Sequence, residues 1–221
     1  MNSFFRYEAT LVENFIKNLE SSEIIIKEMP IRWGNIDVVN ISCNSLPFNL
    51  NQCFCLSKPS NAKIFMRTKN KRPITRKTLF NGLGLSESTF NNSIHELLKA
   101  DLIKEKENKY LRNIYFKFQN IMISGYEAKL HDFNKAYFQA TENRKYVDYS
   151  YLVFPNDVAE KIYKKHLDEL KLRSIGLVGV ETHKNVIYIK AKKRNEIKSY
   201  IRLLHLVKSQ IISAENSKLL K

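Results

Sequence analysis

The spacing of apolar residues predicts an amphipathic helix over residues 3–20. Its apolar positions recur every three or four residues, so they fall on one face of a helix with 3.6 residues per turn. On that helix Glu8 lies near the centre of the apolar face, whereas Glu13 lies about 140° away, towards solvent. Glu8 is therefore expected to point inward. The apolar positions are Phe4, Phe5, Leu11, Val12, Phe15, Ile16 and Leu19.

Two β-strands are predicted after this helix, over residues 23–33 and 35–42. Both segments are rich in β-branched residues, which favour strands. Gly34 lies between them, near the expected turn. Residues 43–59 show no single pattern and receive no assignment.

The middle of the chain has the element order of a winged helix-turn-helix. Ser86 is placed to cap its longest helix, because a serine hydroxyl accepts a hydrogen bond from a free backbone N–H group. The sequence Gly82-Leu83-Gly84 predicts the turn before that cap. The predicted elements are helices over 60–69, 75–82 and 87–100, followed by a charged hairpin over 103–113.

Strand patterns return after residue 113 and alternate with helices, which is typical of an α/β protein. We expect a mixed central sheet flanked by helices. A discontinuous domain over 1–55 and 114–221 would form it, and residues 56–113 would be an inserted winged-helix domain. The later elements are one or two strands over 114–130, a helix over 132–146, a strand over 149–154, a helix over 156–171, strands over 174–181 and 185–192, and a basic helix over 195–212.

Composition narrows the kinds of partner. The 221 residues carry a formal net charge of +15, which favours a polyanionic partner, with nucleic acid ahead of an acidic membrane surface. No apolar run approaches the roughly 20 residues that span a bilayer. The N-terminal sequence lacks the apolar segment of a signal peptide, so a cytoplasmic protein without membrane association is expected.

The three cysteines are Cys43, Cys53 and Cys55, and we expect them to be reduced thiols. Cys53 and Cys55 are interpreted as a pair on a strand, since two cysteines without further close ligands make a poor zinc site. The five histidines form no HxH or HExxH pattern, and no glycine-rich phosphate loop is present, which disfavours an NTPase.

Three residues form the main candidate catalytic set. Asp37 lies among β-branched residues of a predicted buried strand, where a carboxylate is costly unless it is paired or bound to a metal. In Glu127-Ala128-Lys129, strand alternation points Glu127 and Lys129 to the same face. Carboxylates of this kind hold Mg²⁺ or Mn²⁺, which lowers the pKa of a bound water, and a nearby lysine stabilises developing charge. Glu8 is the candidate third metal ligand.

This motif order resembles the PD-(D/E)XK nuclease superfamily, in which an acidic helix precedes a strand with Asp, then Glu-x-Lys, then a helix with Gln. The segment EAKLHDFNKAYFQATENRKYVDYSYLVFP is similar to a branch with Glu-x-Lys-Leu, a Gln-Ala helix and Tyr-x-Asp before an apolar strand. The resemblance covers roughly residues 3–42 and 114–160. It implies a restriction-endonuclease-like fold and metal-dependent phosphodiester hydrolysis. It also implies that Gln139 is catalytic and that Lys135 and Tyr146, on the same helix edge, face the substrate backbone.

The gap between Asp37 and Glu127 is far longer than the usual hairpin of that superfamily, and an inserted winged helix accounts for it. Residues 56–113 carry thirteen basic and five acidic residues, so DNA contact is favoured over protein contact. The absence of arginine from the helix over 87–100 disfavours strong guanine recognition. The residues expected to contact nucleic acid here are Arg76, Lys77, Ser88, Thr89, Asn92, Lys104, Lys106 and Lys109.

The leading hypothesis is a metal-dependent DNA endonuclease. Two alternatives stay open: a catalytically inactive nuclease fold that acts as a winged-helix DNA-binding regulator, and an RNA-processing nuclease. The last predicted helix has apolar residues at helical spacing, so packing or homodimer formation is favoured there over membrane binding.

Overall fold

The computed structural model describes residues 5–19, 24–31, 34–42, 46–118, 121–194 and 197–219. The chain forms two compact units. The first, called the sheet unit, comprises Met1–Cys43 and Asn120–Ile197. The second, called the helical unit, comprises Asn44–Gln119 and Lys198–Lys221.

The sheet unit contains three helices and six strands among its described residues. They are α1 (Glu8–Lys17), β1 (Ile24–Pro30), β2 (Asn35–Ser42), β6 (Met122–Ala128), α6 (Phe133–Asn143), β7 (Tyr149–Pro155), α7 (Asn156–Arg173), β8 (Gly176–Val180) and β9 (Asn185–Ile189). The labels follow chain order, so the intervening numbers belong to the helical unit.

The described helical unit consists mainly of short helices with a small sheet. Its elements are α2 (Leu50–Leu56), α3 (Pro59–Arg67), β3 (Ile74–Thr75), α4 (Arg76–Phe80), α5 (Glu87–Lys99), β4 (Ile103–Lys106), β5 (Lys109–Arg112) and α8 (Ser199–Leu219).

The six strands of the sheet unit form one mixed sheet in the order β1-β2-β6-β7-β8-β9. The pairs β6-β7 and β7-β8 are parallel, whereas the pairs β1-β2, β2-β6 and β8-β9 are antiparallel. The expected α/β class with a mixed sheet and packed helices is therefore confirmed.

Alternation along the strands gives this sheet two apolar faces. Val153 of β7 packs in a cluster with Leu11 and Phe15 of α1. Its neighbours Leu152 and Phe154 pack in the opposite cluster, which includes residues of α6 and α7. Tyr126 and Ala128 of β6 belong to the α1 side, so the side chain of the residue between them points to the α6 side.

In the helical unit, β3, β5 and β4 form an antiparallel sheet in that order. The Ser86 side chain accepts a hydrogen bond from the backbone N–H of Thr89, so the predicted cap of α5 is confirmed. The short strand β3 was not predicted, because two residues are too few to produce an alternating pattern. In chain order these elements are the helix α3, the strand β3, the helices α4 and α5, and the hairpin of β4 and β5.

The two units divide the chain at other positions than the predicted domains. Helix α8 packs against α2 and α3 within the helical unit. The segment 44–55 belongs to the same unit, because α2 supplies part of that packing. None of the described helices is long and apolar enough to cross a lipid bilayer.

Cys53 and Cys55 lie on α2, so the prediction of a strand for this pair is wrong. A capping box starts the helix: the Asn49 side chain accepts from the Gln52 backbone, and the Gln52 side chain accepts from the Asn49 backbone. Cys53 is buried and burial raises the pKa of its thiol to about 11, so this cysteine is an inert core residue. Cys43 lies outside the described residues.

Candidate active site

Neighbouring strands bring the candidate carboxylates together. β2 and β6 are antiparallel, and Val38 pairs with Tyr126. Asp37 precedes Val38 and Glu127 follows Tyr126, so the two acidic residues face each other one step beyond that pair. Glu127 alternates with two residues that pack on the α1 side, and its side chain therefore points to the α6 side.

Hydrogen bonds and ion pairs connect this set. The Asp37 Oδ2 atom accepts the backbone N–H of Ala128 at 2.8 Å, although the two residues are 91 positions apart. The Lys129 Nζ atom lies 3.7 Å from Asp37 Oδ2 and 3.7 Å from Glu127 Oε1. It lies 3.2 Å from Glu8 Oε2 and donates to the Ala128 carbonyl at 2.7 Å. One ammonium group thus meets three carboxylates.

Glu8 reaches this cluster from the first turn of α1, since the described helix begins there rather than at residue 3. The buried residues of the helix are Leu11 and Phe15. The Glu8 side chain is 50% exposed, so the prediction that it lies at the centre of the buried face is wrong. Its contact with Lys129 depends on its place at the helix start. Glu13 is exposed, as predicted.

Glu127 is the most enclosed member of the cluster, with no exposed surface. Asn143 Nδ2 donates to its Oε2 atom at 3.0 Å, whereas Oε1 has no hydrogen-bond partner among the described residues. Burial, followed by the negative charge of Asp37, raises the pKa of Glu127 to about 7. Burial is also the main cause that raises the pKa of Asp37.

The surrounding carboxylates set the charge of Lys129. Burial disfavours its ammonium form, but Asp37, Glu127 and Glu8 together outweigh that effect and raise its pKa. Lys129 therefore stays protonated at neutral pH. Three carboxylates around one ammonium leave an excess of negative charge when all are ionised, and this excess favours a second cation.

A cavity of about 240 Å³ opens beside the cluster. Glu28, which lies on its wall, has a left-handed backbone with φ of 53° and accepts a hydrogen bond from the Asn35 side chain at 3.1 Å. The lining residues are Glu8, Ala9, Val12, Glu13, Lys27, Glu28, Asp37 and Ala128. The wall is rich in carboxylates, so the cavity is a better receptor for cations than for anions.

A divalent cation such as Mg²⁺ requires oxygen ligands, and the cluster offers carboxylate oxygens. Across the described residues, no three His, Cys, Asp or Glu side chains are arranged to hold a metal ion by themselves. The three carboxylates expected to do so surround the ammonium of Lys129 instead. Asp37 and Glu127 nevertheless fit Mg²⁺ or Mn²⁺. These hard cations prefer oxygen ligands, and one or two carboxylates together with water molecules are enough to bind them. Among the described residues, no donor forms a hydrogen bond with the Oε1 atom of Glu127, so this oxygen is available as a ligand.

The sequence did not single out Asn143, which forms the described contact between α6 and this cluster. Asn143 lies one helical turn after Gln139, so the two residues share a face of the helix. This spacing is the feature of the sequence that could have identified Asn143. Gln139 is half-buried and its Oε1 atom has no hydrogen-bond partner among the described residues. Tyr146 follows the end of α6, so the predicted helix edge shared by Gln139 and Tyr146 is wrong. Lys135 is exposed in the first turn of α6.

The residues of the helical unit that were expected to contact nucleic acid are all exposed. Arg76 also has neighbours within the unit: it donates to Asn91, lies 3.7 Å from a Glu87 carboxylate oxygen and covers the Phe90 ring at 5.0 Å. These contacts join α4 to α5. The exposed candidates are Arg76, Lys77, Ser88, Thr89, Asn92, Lys104, Lys106 and Lys109.

Comparisons of the chain with protein-family models, with curated proteins and with solved structures found no match.

Proposed function

We propose that this protein is a metal-dependent nuclease whose sheet unit hydrolyses phosphodiester bonds and whose helical unit binds the nucleic acid. The observation that carries the proposal is the meeting of Asp37, Glu127 and Lys129. The Lys129 ammonium lies 3.7 Å from a carboxylate oxygen of Asp37 and 3.7 Å from one of Glu127, and these two carboxylates come from adjacent strands. Burying charged groups costs stability, and carboxylates whose pKa values are perturbed cluster at functional sites.

In this proposal Asp37 and Glu127 hold Mg²⁺ or Mn²⁺. The cation supplies neutralisation of phosphate charge and a bound water of lowered pKa. Lys129 keeps its proton and stabilises the negative charge that develops on the phosphate. Asn143 orients the Glu127 carboxylate through its 3.0 Å hydrogen bond, and Glu8 holds the ammonium of Lys129 through the 3.2 Å ion pair.

A fold of the restriction-endonuclease kind is part of the proposal. The antiparallel pairs β1-β2 and β2-β6 followed by the parallel strands β7 and β8 support it, as does the acidic α1 on one face of the sheet. The helical unit supplies the winged helix-turn-helix. Its exposed residues Arg76, Lys77, Lys104, Lys106 and Lys109 provide the phosphate contacts that position a nucleic acid without selecting its sequence.

DNA is the substrate that the proposal favours, because winged helices commonly place a helix in the major groove. Separate incubations with supercoiled plasmid, single-stranded DNA and structured RNA test this choice. Each incubation is run with Mg²⁺, with Mn²⁺ and with EDTA. We expect plasmid cleavage with either metal and none with EDTA. Preferential cleavage of RNA would instead assign an RNA-processing nuclease.

A matched pair of variants connects any cleavage to the proposed site. Glu127→Gln removes the buried carboxylate, and Glu160→Gln removes an exposed one in the same unit that is paired with Lys164. We expect the first variant to be inactive and the second to retain full activity. Cleavage by Glu127→Gln at the unsubstituted rate would overturn the assignment.

A DNA-binding regulator without catalysis is the second candidate. The observation that favours it is the same set of ion pairs, because Lys129 partly balances all three carboxylates without a metal. Such a protein would bind DNA in a gel-shift assay, bind no Mn²⁺ at Asp37 and Glu127, and leave every substrate intact. Metal-dependent cleavage would exclude it.

A further inference from the structure

The helical unit contains a cavity of about 340 Å³ that none of the proposed nucleic-acid contacts uses. Three separate segments form it: α3, the turn after α4 and the start of α8. Among the described residues, the charged side chains that line it are all cationic: Lys63, Arg67 and Lys198. The other lining residues are Met66, Gly82, Leu83, Ser199 and Tyr200.

Among the described residues, no carboxylate forms an ion pair with Lys63, Arg67 or Lys198. Like charges around one cavity repel each other, so an anion placed among them lowers the energy of all three.

Arg67 is held in a fixed position for such an anion. Its Nη2 atom donates to the Thr78 carbonyl at 3.3 Å, which ties the guanidinium to α4. Gly82 lies so close that a Cβ atom added there would be 3.3 Å from Arg67 Nη1. A guanidinium held in this way presents its remaining N–H groups as a fork, which suits phosphate oxygens better than a mobile ammonium does.

The remaining lining selects a ligand larger than a bare phosphate. The Tyr200 ring has Lys63 Nζ at 5.4 Å from its centroid, and Met66 and Leu83 add apolar surface. Aromatic rings of this kind stack with nucleobases. The volume is at the small end of the roughly 300–1,000 Å³ typical of ligand cavities, so it accommodates about one nucleotide.

We propose that this cavity binds a single phosphorylated nucleotide, with its phosphate on Arg67, Lys63 and Lys198 and its base against Tyr200. The nucleotide is either free in solution or the terminal 5′-phosphorylated residue of a strand. This site lies wholly within the helical unit and does not depend on the proposed catalysis.

Binding of two probes to the full chain tests the site and separates the two sources. Adenosine 5′-monophosphate represents the free nucleotide. A single-stranded oligonucleotide with a 5′-phosphate, compared with the same oligonucleotide ending in a hydroxyl group, represents the strand terminus. We expect the mononucleotide to bind, or the 5′-phosphate to tighten oligonucleotide binding, and whichever effect occurs identifies the source. If the mononucleotide does not bind and the 5′-phosphate does not tighten oligonucleotide binding, the proposal is overturned.

Charge-matched variants then locate the binding. Lys198→Gln and Arg67→Gln should each weaken the phosphate-dependent binding by about tenfold, because each removes a charge-assisted contact. Lys165→Gln removes an exposed lysine of α7 in the sheet unit and should change that binding by less than about twofold. An equal loss in Lys165→Gln and Lys198→Gln would overturn the site.

Two further measurements guard against a folding defect. Arg67 bonds the Thr78 carbonyl, so Arg67→Gln is compared with the unsubstituted protein in a thermal melt. If Arg67→Gln is destabilised, the test rests on Lys198→Gln alone. The Lys198 side chain is exposed, so its substitution should not disturb folding. Tyr200→Leu should weaken mononucleotide binding while inorganic phosphate binding stays unchanged. An equal loss of both would refute the role given to the ring.

Discussion

Asp37 accepts a hydrogen bond from the backbone N–H of Ala128, the residue that separates Glu127 from Lys129. This bond ties the carboxylate of β2 to the strand that carries the other two residues. It also explains how a buried aspartate stays oriented: the backbone N–H favours its charged form, against the burial that raises its pKa.

Asp37→Asn is expected to abolish cleavage while the protein remains folded. An amide oxygen still accepts from Ala128, but a neutral side chain binds a hard cation weakly. Activity with Mg²⁺, nucleic-acid affinity and the melting temperature are measured together. Glu160→Gln serves as the exposed control. Lost activity with a melting temperature lowered by more than about 8 °C would indicate a folding defect instead of a lost ligand.

Metal affinity should depend on pH through Glu127. Its pKa is raised to about 7 in the metal-free protein, so below that pH a proton competes with the cation. The Mg²⁺ concentration for half-maximal activity should rise by up to about tenfold for each pH unit below 7 and level off above it. The measurement is a Mg²⁺ titration at several pH values between about 5.5 and about 8. This range extends roughly one pH unit or more to each side of the Glu127 pKa. A flat profile would contradict the assigned role of Glu127.

Asn143 is expected to act as a positioning residue. Its amide stabilises the ionised form of Glu127, so Asn143→Leu should raise the pKa of Glu127 further. The acidic limb of the activity profile should then move to higher pH, and activity should recover at alkaline pH. Asn143→Gln tests whether a longer amide rescues the profile. A uniform loss of activity at every pH would show a structural role only.

Glu8→Gln should lower activity and raise the Mg²⁺ requirement. The substitution removes a negative charge 3.2 Å from the Lys129 ammonium, so the pKa of Lys129 should fall and its hold on the cluster should weaken. Glu13→Gln is the matched control, since Glu13 is exposed on the same helix and lines the same cavity. Equal effects of the two substitutions would remove the special role assigned to Glu8.

Arg112 provides a stability prediction for the helical unit. Its buried guanidinium donates to the carbonyl oxygens of Phe65, Thr68 and Phe116, at 2.9 to 3.1 Å. Burial lowers its pKa to about 10, so it stays charged at neutral pH. Arg112→Leu removes these hydrogen bonds, although the Phe65 carbonyl keeps the one from the Thr68 hydroxyl, and should cost about 3 kcal/mol of unfolding free energy. Chemical denaturation measures it, and Arg112→Lys, which keeps the charge but loses the fork, should be intermediate.

The sequence predicted most long elements but not all of the site. Apolar periodicity identified β2, β7 and α7, because strong patterns there agree with burial on the sheet. Residues 50–56 showed no clear period, because the short helix α2 buries Gln52, Cys53 and Leu56 together. Its partner α8 is about 150 residues away along the chain, and a window of ordinary length does not detect such a pairing.

In the candidate site too, residues with a local sequence signal were predicted and those that depend on tertiary packing were not. Asp37, Glu127 and Lys129 were recognisable because charged residues in apolar strands are unusual. Asn143 was not, since a polar residue near the end of a helix is common and its hydrogen bond depends on tertiary packing. Glu8 was chosen for an incorrect reason, because the described helix begins at that residue and its side chain is half-exposed.

The division of the chain between the two units has a consequence for its synthesis. Strand β2 emerges from the ribosome long before its neighbour β6, and α2 and α3 emerge long before α8. Until those late segments appear, β2 presents an unpaired edge and the two helices present uncovered apolar surface. We therefore expect newly made chains to need chaperone protection until translation is almost complete, and chains that stop before α8 to be degraded rather than to accumulate.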